Sequence, residues 1–278
     1  MGNCVFEKMK NRGVGKSRSD ERKMLKKIEE GFKKQEFKMY LQFIVDSEKE
    51  KLVSAETLSR WENSDGDVIF PGAYIGLMER SGLIVTFDYY MFEQVCRKLS
   101  EWKDTEFADF TISCNFTRIT ISDKEFVAKI KAIADKYDFD RRKLLLEITE
   151  DSTEKNLVDA MLNIIKVKEL GFRIALDDFG SGYTSLIGLC EYPVDVVKID
   201  REVLLLTETE KGKKLFLGMV DLAHYLNMTV VCEGVETEEQ QKFVADSGCD
   251  YIQGWYYSKA MSESGAEDFA RGYMAKSM

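Results

Sequence analysis

The chain has one histidine, two prolines and no CxxC pair among its six cysteines. A lone His224 leaves no set of imidazoles for a zinc site and argues against a Ser-His nucleophile pair. It falls in Leu222-Ala223-His224-Tyr225-Leu226, where a helical pattern makes packing the expected role. The cysteines (Cys4, Cys96, Cys114, Cys190, Cys232, Cys249) are scattered, and Cys114 and Cys232 sit inside apolar strand-like runs. Buried thiols of a reducing, cytoplasmic setting are therefore expected rather than a disulfide framework. No apolar run reaches membrane-spanning length and no signal peptide opens the chain, so this chain itself is not expected to insert into a membrane, although a longer protein containing it could be tethered there. Basic charge, 40 Lys and Arg, is outnumbered by 49 Asp and Glu. The formal net charge is −9, and residues 1–36 hold eleven Lys and Arg against six Asp and Glu, leaving −14 on residues 37–278. That balance argues against a binder of nucleic-acid polymers, which needs a basic face. An acidic site can still take an anion when metal ions supply the positive charge.

The 278 residues, 44% hydrophobic and 32% charged, suit one large domain with a sizeable core. Residues 1–20 are polar and unpatterned and read as a linker or tail, with the domain expected over 21–278. Met24, Leu25, Ile28 and Phe32 recur at helical spacing. Lys38–Val45 and Leu52–Leu58 read as strands whose short connection permits only an antiparallel pair. Helices are expected over Ala73–Arg80 and around Phe87, Met91, Val95 and Leu99. Strand-like runs then alternate with helical segments: Thr111–Phe116, Leu144–Ile148, Arg173–Leu176, Val194–Ile199, Val230–Cys232 and Tyr251–Gln253. Ser122-x-x-Glu125 and Thr237-x-x-Gln240 read as capping boxes, and Gly171 as a helix stop. About eight strands in such a chain predict an α/β protein, a TIM-like (β/α)8 barrel with one strand running against the rest. An open doubly wound sheet is the competing topology.

The stretch Arg173–Leu186, RIALDDFGSGYTSL, ends a buried strand on two adjacent carboxylates, Asp177 and Asp178. Like charges so close are costly to desolvate together, and a hard cation removes the cost. Other strand ends carry polar groups as well: Glu56 at the second, Asn115 at the third, Glu147 at the fourth, Lys198 at the sixth, Glu233 past the seventh and Gln253 at the eighth. In a barrel these ends meet at one mouth. Oxygen donors without histidine or thiolate select Mg²⁺ or Mn²⁺, and the chemistry suggested is two-metal phosphoester hydrolysis. Gly180-x-Gly182 as a dinucleotide-binding turn is a weaker reading, since the acids before it repel a pyrophosphate. A barrel enzyme working on a metal-stabilised enolate would want similar strand ends.

Taken jointly, Glu56-Thr57-Leu58 with Arg60-Trp61, Asn115 in CNFT, Glu147 and Glu150 in LEITE, DDFGSGYTSL, Lys198-Ile199-Asp200, Glu233-Gly234-Val235-Glu236 and Gln253-Gly254 resemble the EAL domain. The likeness covers roughly residues 21–260. It implies a TIM barrel whose first strand is antiparallel and the hydrolysis of cyclic di-GMP to linear pGpG with two Mg²⁺ or Mn²⁺ ions. It further implies Glu56, Asn115, Glu147, Asp177 and Asp178 as metal ligands, and Lys198 and Glu233 as catalytic residues. Glu150, grouped with these, would brace the loop after Asp178. Gln42, Arg60, Asp200, Glu236 and Gln253 would serve the substrate side. Partners compatible with the likeness are a second copy of the chain and an upstream GGDEF or sensor domain. The chain departs from the family pattern at Phe43 (usually Pro), Ser54 (Gly), Thr57 (Ala) and Gly76 (often Pro), none of them a ligand. By strand alternation Thr57 should point away from Glu56. A family member that binds cyclic di-GMP or a protein without cleaving is the alternative.

Overall fold

The computed structural model describes residues 18–149, 157–180, 189 and 193–276. Strands β1 (Phe37–Asp46) and β2 (Leu52–Glu62) pair antiparallel from Phe37 opposite Trp61 to Val45 opposite Leu52. The short β3 (Val68–Ile69) extends β2. Strand β4 (Thr111–Phe116) lies parallel to β2, and β5 (Leu144–Thr149), β6 (Arg173–Phe179), β7 (Val196–Ile199), β8 (Thr229–Cys232) and β9 (Tyr251–Gln253) follow in parallel order. β9 then pairs antiparallel with β1, which also carries the short β10 (Met261–Ser262). Eight strands thus close into a barrel in which β1 alone opposes both neighbours. An open sheet is excluded, because β1 bonds to the second strand and the last one together.

Ten helices are described: α1 (Arg18–Lys33), α2 (Ile75–Ser81), α3 (Ile84–Trp102), α4 (Arg118–Ile121), α5 (Phe126–Ala134), α6 (Leu157–Glu169), α7 (Arg201–Leu206), α8 (Glu210–Tyr225), α9 (Glu238–Asp246) and α10 (Glu263–Lys276). None of them is long and apolar enough to cross a membrane.

Strand alternation builds two cores. On β5, Leu144, Leu146 and Ile148 join the large cluster between barrel and helices. Leu145 instead joins Ile44, Ala175, Val196 and Val231 in a small cluster inside the barrel, beneath the mouth. Because both faces are buried, these strands read as continuous apolar runs. Phe43 lies in the outer core, stacked on Phe269 of α10 at 5.7 Å, and its N–H donates to Ser258 Oγ at 3.2 Å. A proline there would lack that donor. The departure at Phe43 is thus a packing and hydrogen-bonding exchange on the outer face. Ser54 lines the barrel interior two residues before Glu56, in a cavity that Glu147 and Lys198 also line.

Several expectations need correction. The box at Ser122 and Glu125 does not form: Ser122 closes α4, and α5 begins at Phe126 without a side-chain cap. The chain is already helical from Arg118, so Ser122 ends one helix instead of opening the next. Thr237 and Gln240 do make both halves of their box, and Gly171 ends α6 with φ +98°. The helix expected from Ala73 starts at Ile75, after a 3-10 turn over Pro71–Ala73. Glu56 lies in mid-strand, since pairing with β1 carries β2 on to Glu62. His224 is a half-exposed surface residue, its Nε2 2.9 Å from Asp250 Oδ2, and not a packing residue.

Candidate active site

The period of two that sends Leu144, Leu146 and Ile148 outward turns Glu147 into the barrel, and the same holds for Asn115, Asp177 and Lys198 on their strands. Their common centre is Lys198, 1% exposed. Its Nζ lies 2.6 Å from Glu233, 3.0 Å from Glu147, 3.2 Å from Glu56 and 3.3 Å from Asp177. Glu56 also accepts from Asn115 Nδ2 at 3.1 Å and Gln253 Nε2 at 2.6 Å. Gln42 faces Glu56 across the β1–β2 ladder and donates to the carbonyl of Ser258 at 3.1 Å.

These contacts divide the acids. Burial drives the carboxyls of Glu56, Glu147 and Glu233 upward. For Glu56 the Lys198 ammonium and the two amide donors outweigh burial, and its pKa lies below the usual value. Glu147 has fewer partners; burial, with Glu56 alongside, holds it well above. Burial raises Glu233 to about 8, Lys198 offsetting part of the effect. Lys198 is desolvated too, yet its four carboxylates hold it well above the usual lysine value.

Asp178 lies within a β-bulge. Leu176 pairs with Val197 and Phe179 with Ile199, so β6 carries one residue more than β7 over that span. Asp178 takes φ +57°, which aspartate tolerates better than most residues, and burial followed by Asp177 raises its pKa to about 6. Gly180 comes next, with φ +92°, and a Cβ there would stand 2.6 Å from Met219 Cε.

The remaining sequence-chosen residues surround this centre. Arg60 Cζ lies between rings, 4.5 Å from Phe70 and 5.5 Å from Tyr40. Asp200 caps α7 by accepting from Glu202 N at 2.7 Å. Glu236 sits 3.0 Å from Arg201. Glu150 and the loop residues Ser181, Tyr183, Thr184 and Ser185 lie outside the described residues. Thr57 does point away from Glu56: it is buried, lining a cavity behind the barrel wall with Cys114 and Asp88.

Sequence reasoning overlooked Asp88. It is buried on α3, and its Oδ2 accepts from Thr117 N at 3.0 Å, Thr117 Oγ1 at 2.7 Å and Thr120 Oγ1 at 2.6 Å. It thereby holds the turn that follows Asn115. An acid within the apolar stripe of Ile84, Phe87 and Met91 was the available signal.

Whether this site fits a divalent cation is a matter of donors and charge. As placed, the carboxylates close on Lys198, and among the described residues no group of three or more His, Cys, Asp or Glu is already arranged around an ion position. The donors are nonetheless all hard oxygens. Glu147 Oε1 and Gln253 Oε1 are buried without a hydrogen-bond partner, Asp177 Oδ1 has only the Lys198 ammonium at 3.3 Å, and four acids outnumber that one ammonium. Orphaned oxygens and surplus negative charge are what a small divalent ion relieves, so the residues fit one.

An eight-stranded barrel with one reversed strand and an acid-ringed lysine defines a TIM-like barrel with a buried polar centre at its mouth. The family model for the EAL domain matches residues 25–260, and the chain belongs to the EAL domain family. Over 243 residues it is 29% identical to Signaling protein YkoW of Bacillus subtilis, covering 87% of this chain and 30% of that one. Over 261 residues it is 28% identical to the bifunctional diguanylate cyclase/cyclic di-GMP phosphodiesterase MucR of Pseudomonas aeruginosa, covering 94% of this chain and 38% of that one. The chain thus spans about a third of the length of these relatives. The solved structure of PaMucR phosphodiesterase in complex with c-di-GMP superposes with a TM-score of 0.82 at 27% identity, over 88% of this chain and 99% of that one.

Proposed function

We propose that the chain hydrolyses cyclic di-GMP to linear pGpG in a reaction dependent on Mg²⁺ or Mn²⁺. The observation that carries this reading is the convergence of Glu56, Glu147, Asp177 and Glu233 on Lys198 at the barrel mouth. The relative MucR and the superposed PaMucR structure, named for this activity and this ligand, support it.

Glu56, Asn115, Glu147, Asp177 and Asp178 would hold two ions. When bound, these supply Lewis-acid activation of water and neutralise phosphate charge. Asn115 and Gln253 keep Glu56 ionised and oriented by donating to it. Lys198, fixed by its four partners, orients the attacking water and steadies negative charge as it develops. Glu233, at 2.6 Å from Lys198, holds or releases a proton beside it. Arg60, flanked by two aromatic rings rather than by a carboxylate, donates from Nη1 to the Ser59 carbonyl at 2.8 Å and would offer the rest of its fork to a phosphate.

Incubation with cyclic di-GMP and Mn²⁺ or Mg²⁺, followed by chromatography, is the test. pGpG should form, stop with chelator and return with either ion. Tight binding without pGpG under both ions would replace this reading with a binding-only domain.

A further inference from the structure

Beside Lys198 a groove of about 300 Å³ is walled by Glu56, Glu233, Glu236, Gln253, Trp255 and Arg201 among others. Three carboxylates make it unfavourable for the phosphates of a dinucleotide. Lys198 offers little relief, because four carboxylates already engage its ammonium. Arg60 is not part of this wall. Among the described residues that line the groove, Arg201 is the one cation.

Two features unrelated to substrate charge set Arg201 there. It opens α7 directly after the capping residue Asp200. Its aliphatic stem lies across Gly234, where a Cβ would come within 2.4 Å of Arg201 Cγ and 2.8 Å of its Cδ. Gly234 also has φ +70°, so space and backbone both require glycine at that point. The tip of Arg201 meets Glu236 Oε1 at 3.0 Å, with 48% of the Arg201 side chain open to solvent. An ion pair at so exposed a rim contributes little to stability. Exchanging it for a phosphate, which the guanidinium fork matches in shape and charge, therefore costs little.

We propose that Arg201 is a phosphate-binding residue of this groove, taking the phosphodiester of the cyclic dinucleotide that is not the one presented to the Lys198 cluster. The proposal rests on the phosphodiesterase reading above. It makes Gly234 the seat of a substrate-facing cation and Glu236 its resting partner.

The test is steady-state cleavage of cyclic di-GMP by wild type, Arg201→Gln and Arg201→Lys at several salt concentrations, beside thermal melts. Arg201→Gln should raise KM about tenfold with kcat nearly unchanged, and should flatten the slope of log kcat/KM against log salt, because one screened charge–charge contact is lost. Arg201→Lys keeps the charge but not the fork, so the salt slope should survive while KM rises several-fold. An unchanged KM and slope in Arg201→Gln overturns the proposal. So does a fall in kcat at constant KM, which would make Arg201 a support for Asp200 and Glu233. If Arg201→Gln does not fold, the lysine variant decides: a lost slope or an unchanged KM overturns it. A wild type that neither binds nor cleaves cyclic di-GMP overturns the phosphodiesterase reading together with this one. Cleavage by wild type with an indifferent Arg201 overturns this one alone.

Discussion

Replacing Lys198 by methionine keeps most of the side-chain volume and deletes the one positive charge inside a ring of four acids. Truncating one partner of a buried ion pair costs about 3–5 kcal/mol, because the other is left buried and unpaired. At roughly 2–4 °C per kcal/mol for a chain of this size, the melting temperature should fall on the order of 10 °C at neutral pH. The loss should shrink in acid, where protonation relieves the ring; Glu147 is held well above the usual carboxylate value by burial even with the lysine present. Mn²⁺ should restore part of it, since an ion at a hundred times its Kd stabilises by about 2.7 kcal/mol. Lys198→Met should recover more on Mn²⁺ addition than wild type does, as wild type already holds a cation at that point. Activity should fall in kcat with KM nearly unchanged. Thermal melts with and without Mn²⁺ at two pH values supply the comparison. A variant that melts within a degree or two of wild type at neutral pH would refute the reasoning that Lys198 carries the ring. A loss untouched by Mn²⁺ would refute the divalent fit.

Asp177→Asn removes one negative donor from the same ring and should cut cyclic di-GMP turnover by several orders of magnitude while raising the melting temperature slightly; near-normal pGpG formation would remove Asp177 from the ion site. Asp88 has a folded-state pKa raised by burial to about 6 from an ordinary 3.8. Its stability contribution is therefore complete below the unfolded value and is lost as pH rises through the folded one. Relative to Asp88→Asn, wild type should lose about 2 kcal/mol between roughly pH 4.5 and 7, read from denaturant midpoints, and parallel curves would contradict it. Thr57 Oγ1 is buried without a partner. Thr57→Val should accordingly raise stability by about 1 kcal/mol in urea titration, and a loss of that size would show that the hydroxyl is bonded.

Much of the fold was legible because strand alternation and short connections leave few topologies. The charged turn between Phe43-Ile44-Val45 and Leu52-Val53 allowed only an antiparallel pair, and the six later runs allowed only crossovers. The candidate site was legible for the same reason, since polar residues at inward positions are conspicuous among apolar neighbours. What one dimension could not disclose was the hub. Lys198 meets Glu56 across 142 residues of chain and Glu147 across 51, through the stagger that closes the barrel. Glu56 was misplaced to a strand end because the polar run after Leu58 resembles a loop, whereas its pairing with β1 keeps it extended. Ser122 failed as a cap because four residues before it had already turned helical. Asp88 escaped notice because a single acid on a helix is ordinarily solvated, and only the packing of α3 against β4 shows that this one is buried.

The precision of the site comes from the residues between its members. Each inward group is flanked on its own strand by side chains locked into the outer core: Cys114 and Phe116 around Asn115, Leu146 and Ile148 around Glu147, Val197 and Ile199 around Lys198. A slip of one residue in any of these strands would exchange the two faces, driving Cys114 or Leu146 into the mouth and a carboxylate into the apolar layer. The cost of that exchange is several buried side chains at about 1.5–3 kcal/mol each, so the outer core sets the register on which the polar centre depends. The alternation breaks near the mouth at Asp177-Asp178-Phe179. There the bulge on β6 lets two neighbouring acids lie in one electrostatic field while Phe179 returns to the core. Gly180, with no room for a Cβ against Met219 and Val203, holds the chain on that course. Gly180→Ala should therefore impair activity more than any surface alanine, because the displacement it forces falls on Asp178 two residues away. Wild-type turnover in Gly180→Ala would show that Asp178 is positioned by something other than this crowded turn.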